Sequence, residues 1–276
     1  MAAAVTGMPL GVVTDEISPD YQLAFRTVIE LGLRQVELRM AGSRRVPFLE
    51  PAELAWIRDF TRANNIRITA LSPGTYKCTL QDDEFTRQAD ILRQTLDLAE
   101  EWQVPKVITF AVRRSPLDQP ADYQRVLSEL GSRAEEARRR GIILCAENER
   151  GWWNDTAPNI LRLHRDLAGS GLRLNWDPGN FLDAGAAQYT DGYSSMQPYI
   201  ANVHIKDVRR EGGRHAWAPL GCGDVDWAGQ LTELWRDLPA VDLTIETHVA
   251  PLMENTRQNL AYIRRIVTGS GREVDA

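Results

Sequence analysis

The sequence predicts an α/β chain folded as a single (β/α)8 barrel. Three observations carry this prediction: eight short apolar runs of strand length, longer stretches between them with helical periodicity, and four ionisable residues beside the ends of the last four runs. In a closed parallel barrel, strand ends converge on one mouth, so residues remote in sequence meet there.

The expected strands are residues 10–14, 35–39, 66–71, 106–110, 142–146, 172–176, 200–205 and 243–247. Between the first of these, residues 21–31, 51–64, 84–102 and 123–140 repeat apolar side chains near the helical period. The later helices are 159–167, 189–196, 227–238 and 253–267, of which 189–196 has the weakest pattern. Ser18 or Asp20 is placed to cap the first helix, and Pro51 suits an early helical turn. Gly32, Gly131 and Gly141 terminate or interrupt helices. The second strand, QVELR, is charged, so hydrophobicity alone does not define it. No tandem repeat, low-complexity linker or composition break divides the chain. One domain over residues 1–276 is expected, with short flexible termini that include the 269–276 tail.

Composition narrows the classes of function. A chain of 276 residues buries a substantial core, and 32 Lys plus Arg against 38 Asp plus Glu leave a net charge of -6. That mild acidity gives no broad electrostatic reason to expect a nucleic-acid partner. Cys78, Cys145 and Cys222 are too scattered for a disulfide framework, in keeping with a reducing compartment. Residues 1–10 lack the basic start and apolar stretch of a secretory signal, and no run approaches the roughly 18 apolar residues of a membrane span. A cytoplasmic location without a membrane partner is therefore expected. Neither GxGxxG nor GxxxxGK[ST] occurs, so a nucleotide cofactor is not supported.

Glu147, Asp177, His204 and Glu246 lie in ILCAENE, LRLNWDPGN, IANVHIKD and LTIETH, at the ends of expected strands five to eight. Taken singly, each carboxylate equally fits a helix cap, an ion pair or a solvent-facing side chain, and the histidine fits a loop hydrogen bond. Their joint placement points to a metal, because carboxylates directed into one mouth need charge compensation. Three carboxylates and an imidazole suit Mn²⁺ first, with Mg²⁺ or Co²⁺ as alternatives and Zn²⁺ behind them.

The ordered segments GVVTDEIS, AEN, NWDPGN, VHIKD, GCGDVDW and IETH resemble the xylose isomerase-like TIM-barrel superfamily, of sugar phosphate isomerase/epimerase type. Within it they are most similar to the relatives of tagatose 3-epimerase, over most of the chain. The resemblance implies that Glu147, Asp177, His204 and Glu246 bind a divalent metal, with Glu147 and Glu246 as opposed catalytic acid/base groups. It implies a sugar or keto-sugar isomerase or epimerase working through a metal-stabilised enediolate on a small carbohydrate or derivative. Arg210, six residues beyond His204, lies near where those epimerases hold substrate with an arginine; a solvated turn fits it as well.

Two substrate contacts depart from the epimerase pattern. Asn180 stands three residues after Asp177, where the epimerases place a histidine, and Trp153 stands six residues after Glu147, where they place a glutamate. Both point away from free-sugar 3-epimerisation by the family's standard arrangement. Lys206 is suited to stabilising oxyanion charge, with Asp207 orienting it or a loop; a salt bridge at the barrel rim is the alternative. Trp152 and Trp153 suit a cover over a sugar ring, a hydrophobic lid, or the contact of a homo-oligomer, and Trp217 a second wall. Asp226 is expected to cap the helix at Trp227. His164 and His215 are assigned to surface or loop hydrogen bonds, while His248 is near enough in sequence to reach the mouth.

Two other readings stay open. Related barrels include dehydratases and lyases, in which the same proton abstraction expels a β-substituent from a keto sugar, glycoside or polyol derivative. A non-catalytic carbohydrate-binding or subunit-forming barrel is the other. Apurinic endonucleases share the broad architecture, but their site is richer in histidine than this chain, with its 4 histidines, allows.

Overall fold

In the computed structural model, which describes residues 7–269 and 273–275, parallel strands close on themselves into a barrel. They are β1 (Gly7–Val13), β2 (Gln35–Leu38), β3 (Arg67–Leu71), β4 (Lys106–Phe110), β5 (Ile143–Glu147), β6 (Arg173–Trp176), β7 (Ile200–Ile205) and β8 (Asp242–Ile245). Closure is made by β8 against β1, in the register Leu10↔Leu243, Gly11↔Thr244 and Val12↔Ile245. Gly11 is needed there: a Cβ at this position would lie 2.8 Å from the Gln35 carbonyl oxygen of the neighbouring strand. Among the described residues, no helix is long and apolar enough to cross a membrane.

The outer layer contains α1 (Tyr21–Glu30), α2 (Pro51–Ala63), α3 (Phe85–Trp102), α4 (Asp122–Arg139), α5 (Ala157–Asp166), α6 (Pro178–Asp183), α7 (Tyr193–Met196), α8 (Trp227–Asp237) and α9 (Leu252–Gly269). Asp20, rather than Ser18, caps α1, accepting from the backbone N–H of Gln22 and Leu23. Pro51 occupies the first turn of α2, and Asp226 caps α8 through the Gly229 N–H. The weak pattern over 189–196 is two short pieces, a 3-10 turn at Tyr189–Asp191 and the single turn α7, separated at Gly192. The sequence pattern did not reveal α6, whose run PGNFLD is too short for helical periodicity.

Two further expectations are corrected. Glu273–Asp275 of the tail form a short parallel strand beside Gly7–Pro9. His164 is buried, its ring stacked on Tyr199 at 5.0 Å, because helical phase turns it inward with Ile160 and Leu163.

The main core lies between strands and helices, where Val36, Val107, Leu144, Leu174 and Val203 meet the inner helix faces. The opposite strand face points into the barrel. Low in the interior, Lys106 Nζ reaches Asp242 at 2.5 Å and Asn202 at 2.8 Å. Above them Ala70, Ile108 and Cys145 form a small apolar layer. Two residues further along these strands the inward positions are Ser72, Phe110 and Glu147, level with the other ionisable groups at the mouth.

Candidate metal centre

Period-two alternation places each group. Following Ile143 and Cys145, Glu147 is the next inward position of β5. Asp177 follows Arg173 and Asn175, His204 and Lys206 follow Asn202, and Glu246 follows Asp242 and Thr244. One ligand atom from each of Glu147, Asp177, His204 and Glu246 lies within 4.8 Å of the others, and all four residues are buried. Asn148 ties the ends of β5 and β6 together: it accepts from the Asp177 N–H and donates to the Asp177 carbonyl, both at 2.9 Å.

The donor atoms are held facing a common point. His204 Nε2 lies 2.9 Å from Glu37 Oε2, leaving Nδ1 between the two glutamates, 3.4 Å from Glu147 Oε2 and 3.5 Å from Glu246 Oε2. That buried Nδ1 has no hydrogen-bond partner. Asp177 Oδ1 accepts from the Asn180 N–H at 2.8 Å, while Oδ2 has only Lys206 Nζ, 3.0 Å away at an angle that makes no hydrogen bond. An orphaned imidazole nitrogen and a carboxylate oxygen aimed at one point, with the imidazole backed by a second carboxylate, fit a divalent ion.

The two glutamates have different surroundings. Glu147 accepts from neutral amides, Asn180 Nδ2 at 2.9 Å and Asn175 Nδ2 at 3.3 Å. Glu246 is held by cations, Lys206 Nζ at 2.8 Å on one oxygen and Arg39 at 2.8 Å on the other. Burial pushes both carboxyls up. His204 outweighs this at Glu147 and leaves it below the usual range, whereas Lys206, His248 and His204 hold Glu246 well below it. Asp177 ends higher: burial, with Glu147 and Glu246 nearby, outweighs Lys206 and pushes it up to about 6.

The centre opens into a cavity of about 170 Å³, lined among others by Glu37, Arg39, Phe110, Asn180, Lys206 and Trp217. Trp153 and Arg210 are not brought there. Trp153 packs beside Tyr123 with ring centroids 5.4 Å apart, and the Arg210 guanidinium donates to the carbonyls of Ala186 and Ala187. Asp207 orients the GCGDVDW loop, accepting from the N–H groups of Gly221, Gly223 and Val225. His248 reaches the mouth, with Nδ1 2.8 Å from Glu16 Oε1.

Glu37 and Arg39 went unread as site residues in the sequence, although the alternation that selects Glu147 also selects them in QVELR. Arg39 bridges Asp15, Glu16 and Glu246, so the mouth is a charge network that extends to β1 and β2.

Comparison with known proteins agrees with this fold. The family model described as xylose isomerase-like TIM barrel matches residues 25–266. The chain belongs to the xylose isomerase-like TIM-barrel family. No curated protein matches its sequence. Among solved structures, a probable 3-DHS dehydratase, AsbF of Bacillus anthracis, superposes with a TM-score of 0.78 at 18% identity, covering 93% of this chain and 98% of its own. An L-ribulose 3-epimerase superposes with a TM-score of 0.74 at 18% identity over 95% of each chain. The IolI protein, solved with a zinc atom, gives 0.79 at 13% identity, covering 95% of this chain and 99% of its own. At these identities the likeness is one of fold, and solved structures of that fold include epimerases and a probable dehydratase.

Proposed function

We propose that this family member is a divalent-metal-dependent sugar or keto-sugar isomerase or epimerase, with Glu147, Asp177, His204 and Glu246 as ligands and Mn²⁺ as the preferred ion. The observation that carries the reading is the placement of His204 Nδ1 between Glu147 and Glu246, facing Asp177 inside one buried cluster. A divalent ion bound there supplies Lewis-acid polarisation of a substrate carbonyl.

The chain's own groups account for the rest. Glu147, oriented by the amides of Asn180 and Asn175, is the stronger base of the pair, because its neutral neighbours stabilise its charge less than Lys206 and Arg39 stabilise that of Glu246. Lys206, buried among carboxylates that raise its proton affinity against the effect of burial, stays charged and faces the oxygen where negative charge develops. Glu246 is the opposed group for returning a proton. The buried Phe110 and the partly buried Trp217 wall the cavity and limit water around the carbanion.

One observation favours a second reading, elimination of a β-substituent. Glu246 is clamped by two cations, which makes it a poor proton donor, and single-base chemistry suits a lyase better than two-sided proton transfer. The likeness to a dehydratase fold agrees with it.

Incubating Mn²⁺-loaded protein in D₂O with free sugars, keto sugars and glycosides, followed by NMR, separates these outcomes. Deuterium incorporation with inverted stereochemistry identifies epimerisation, carbonyl relocation isomerisation, and an unsaturated product elimination. Full turnover by protein shown to hold no divalent metal would sink the proposal.

A further inference from the structure

The cavity at the metal centre does not end at Trp217. A second, larger groove of about 520 Å³ adjoins it, and Glu149, Asn180 and Trp217 line both. One side of the groove is α6, and the other is the hairpin formed by Asp207–Glu211 and Arg214–Ala218, which the chain inserts after β7. A molecule held at the metal centre therefore has a continuous way out past the Trp217 ring, which itself sits over Lys206 Nζ at 4.6 Å.

Basic side chains outnumber acidic ones in the groove. Arg150 and Arg214 line it, together with His215 and Asp183. Asp183 is already engaged, with Oδ1 2.5 Å from His215 Nδ1, and Arg150 stands 3.6 Å from the same oxygen. The carboxylate of Glu149 is turned to Lys77 at 3.2 Å. Arg214 is exposed and makes no ion pair among the described residues. Arg214 thus stands unpaired over a groove whose acidic groups are already occupied, and Arg150, which shares Asp183 with His215, stands beside it, an arrangement suited to an oxyanion.

We propose that this groove receives an anionic substituent of the substrate, so that the compound processed carries a carboxylate or phosphate beyond the carbons held at the metal centre. This rests on the reading of that centre as the site of a sugar-processing enzyme. Arg150 and Arg214 contact the oxyanion, and Trp217 packs against the linking atoms.

Calorimetric titration of the Mn²⁺-loaded protein tests it, with 4-carboxyphenyl β-D-glucopyranoside against phenyl β-D-glucopyranoside, and D-glucose 6-phosphate against D-glucose. In at least one pair the charged probe is expected to bind roughly fivefold tighter, since exposed charge contacts are individually weak. The advantage shrinks with added salt and disappears in the R150A/R214A double variant. Advantage in the first pair alone assigns a carboxylated substituent, and in the second alone a phosphorylated sugar. Equal affinity in both pairs, absence of binding by every probe, or a preference that survives in the double variant overturns the inference. Mn²⁺ titration of the same protein separates the two levels: metal bound at the centre without anion preference refutes the groove alone, whereas failure to bind Mn²⁺ refutes the reading of the centre.

Discussion

Glu37 and His204, 167 residues apart in the chain, meet across the barrel mouth with His204 Nε2 2.9 Å from Glu37 Oε2. The carboxylate fixes the imidazole's orientation and turns Nδ1 toward Glu147, Asp177 and Glu246. It also raises the histidine's basicity, against the effect of burial.

Replacing Glu37 with Gln is therefore expected to weaken Mn²⁺ binding by about 10- to 100-fold while the barrel stays folded. Calorimetry with manganese, alongside circular dichroism, measures both. Unchanged affinity would show that Glu37 does not orient the ligand.

Glu147→Gln and Glu246→Gln are expected to differ. Loss of the Glu147 carboxylate should slow substrate proton exchange by about 10²- to 10⁴-fold. Glu246→Gln should also leave Arg39 and Lys206 without a shared counter-ion, lowering thermal stability as well as rate. Deuterium exchange and melting temperature separate the two effects, and identical behaviour of the variants would remove the asymmetry argued for the site.

Much of this centre is legible in the chain. The eight strands and the inward phase of Glu147, Asp177, His204 and Glu246 follow from short apolar runs with period two, because burial on one face forces the alternation. What escaped was set by long-range pairing. Glu37 and Arg39 occupy a strand whose charge obscures its pattern, and their partners lie on β7 and β8. Trp153 and Arg210 stand at the expected distances in sequence, but the turn that carries Trp153 and the hairpin strand that carries Arg210 aim them at Tyr123 and at the Ala186 and Ala187 carbonyls. Spacing beyond a strand end does not fix direction.

Metal affinity should depend on pH through Asp177. With its carboxyl pushed up to about 6, protons compete with the ion for this ligand as pH falls through that value. Mn²⁺ affinity is expected to rise with pH throughout, because His204, made more basic by its carboxylate neighbours, must also lose its proton, and to fall by about a further tenfold per pH unit below about 6, where Asp177 takes one up. Titrations between pH 5 and 8 check this; a flat profile contradicts it.

His164 gives a separate acid response. Burial pushes its imidazole down to about 4, against a backbone contact with Leu172 that favours the charged form. The unfolded chain, with an ordinary histidine near 6.5, then takes up the proton first. Stability present above about 6.5 is lost as pH falls toward 4, by on the order of 3 kcal/mol. Denaturant midpoints for wild type and His164→Leu over this range test the sign: the variant's profile should be flatter.

The pairing of β8 with β1 also determines when the centre comes into existence. Glu246 directly follows the last barrel strand to be synthesised, and its partner Arg39 directly follows the second. A nascent chain carries Glu37 and Arg39 long before it carries a complete set of ligands. Under the proposed reading, metal capture is thus an act of the finished barrel, and an ion bound there would report on correct ring closure as much as on chemistry.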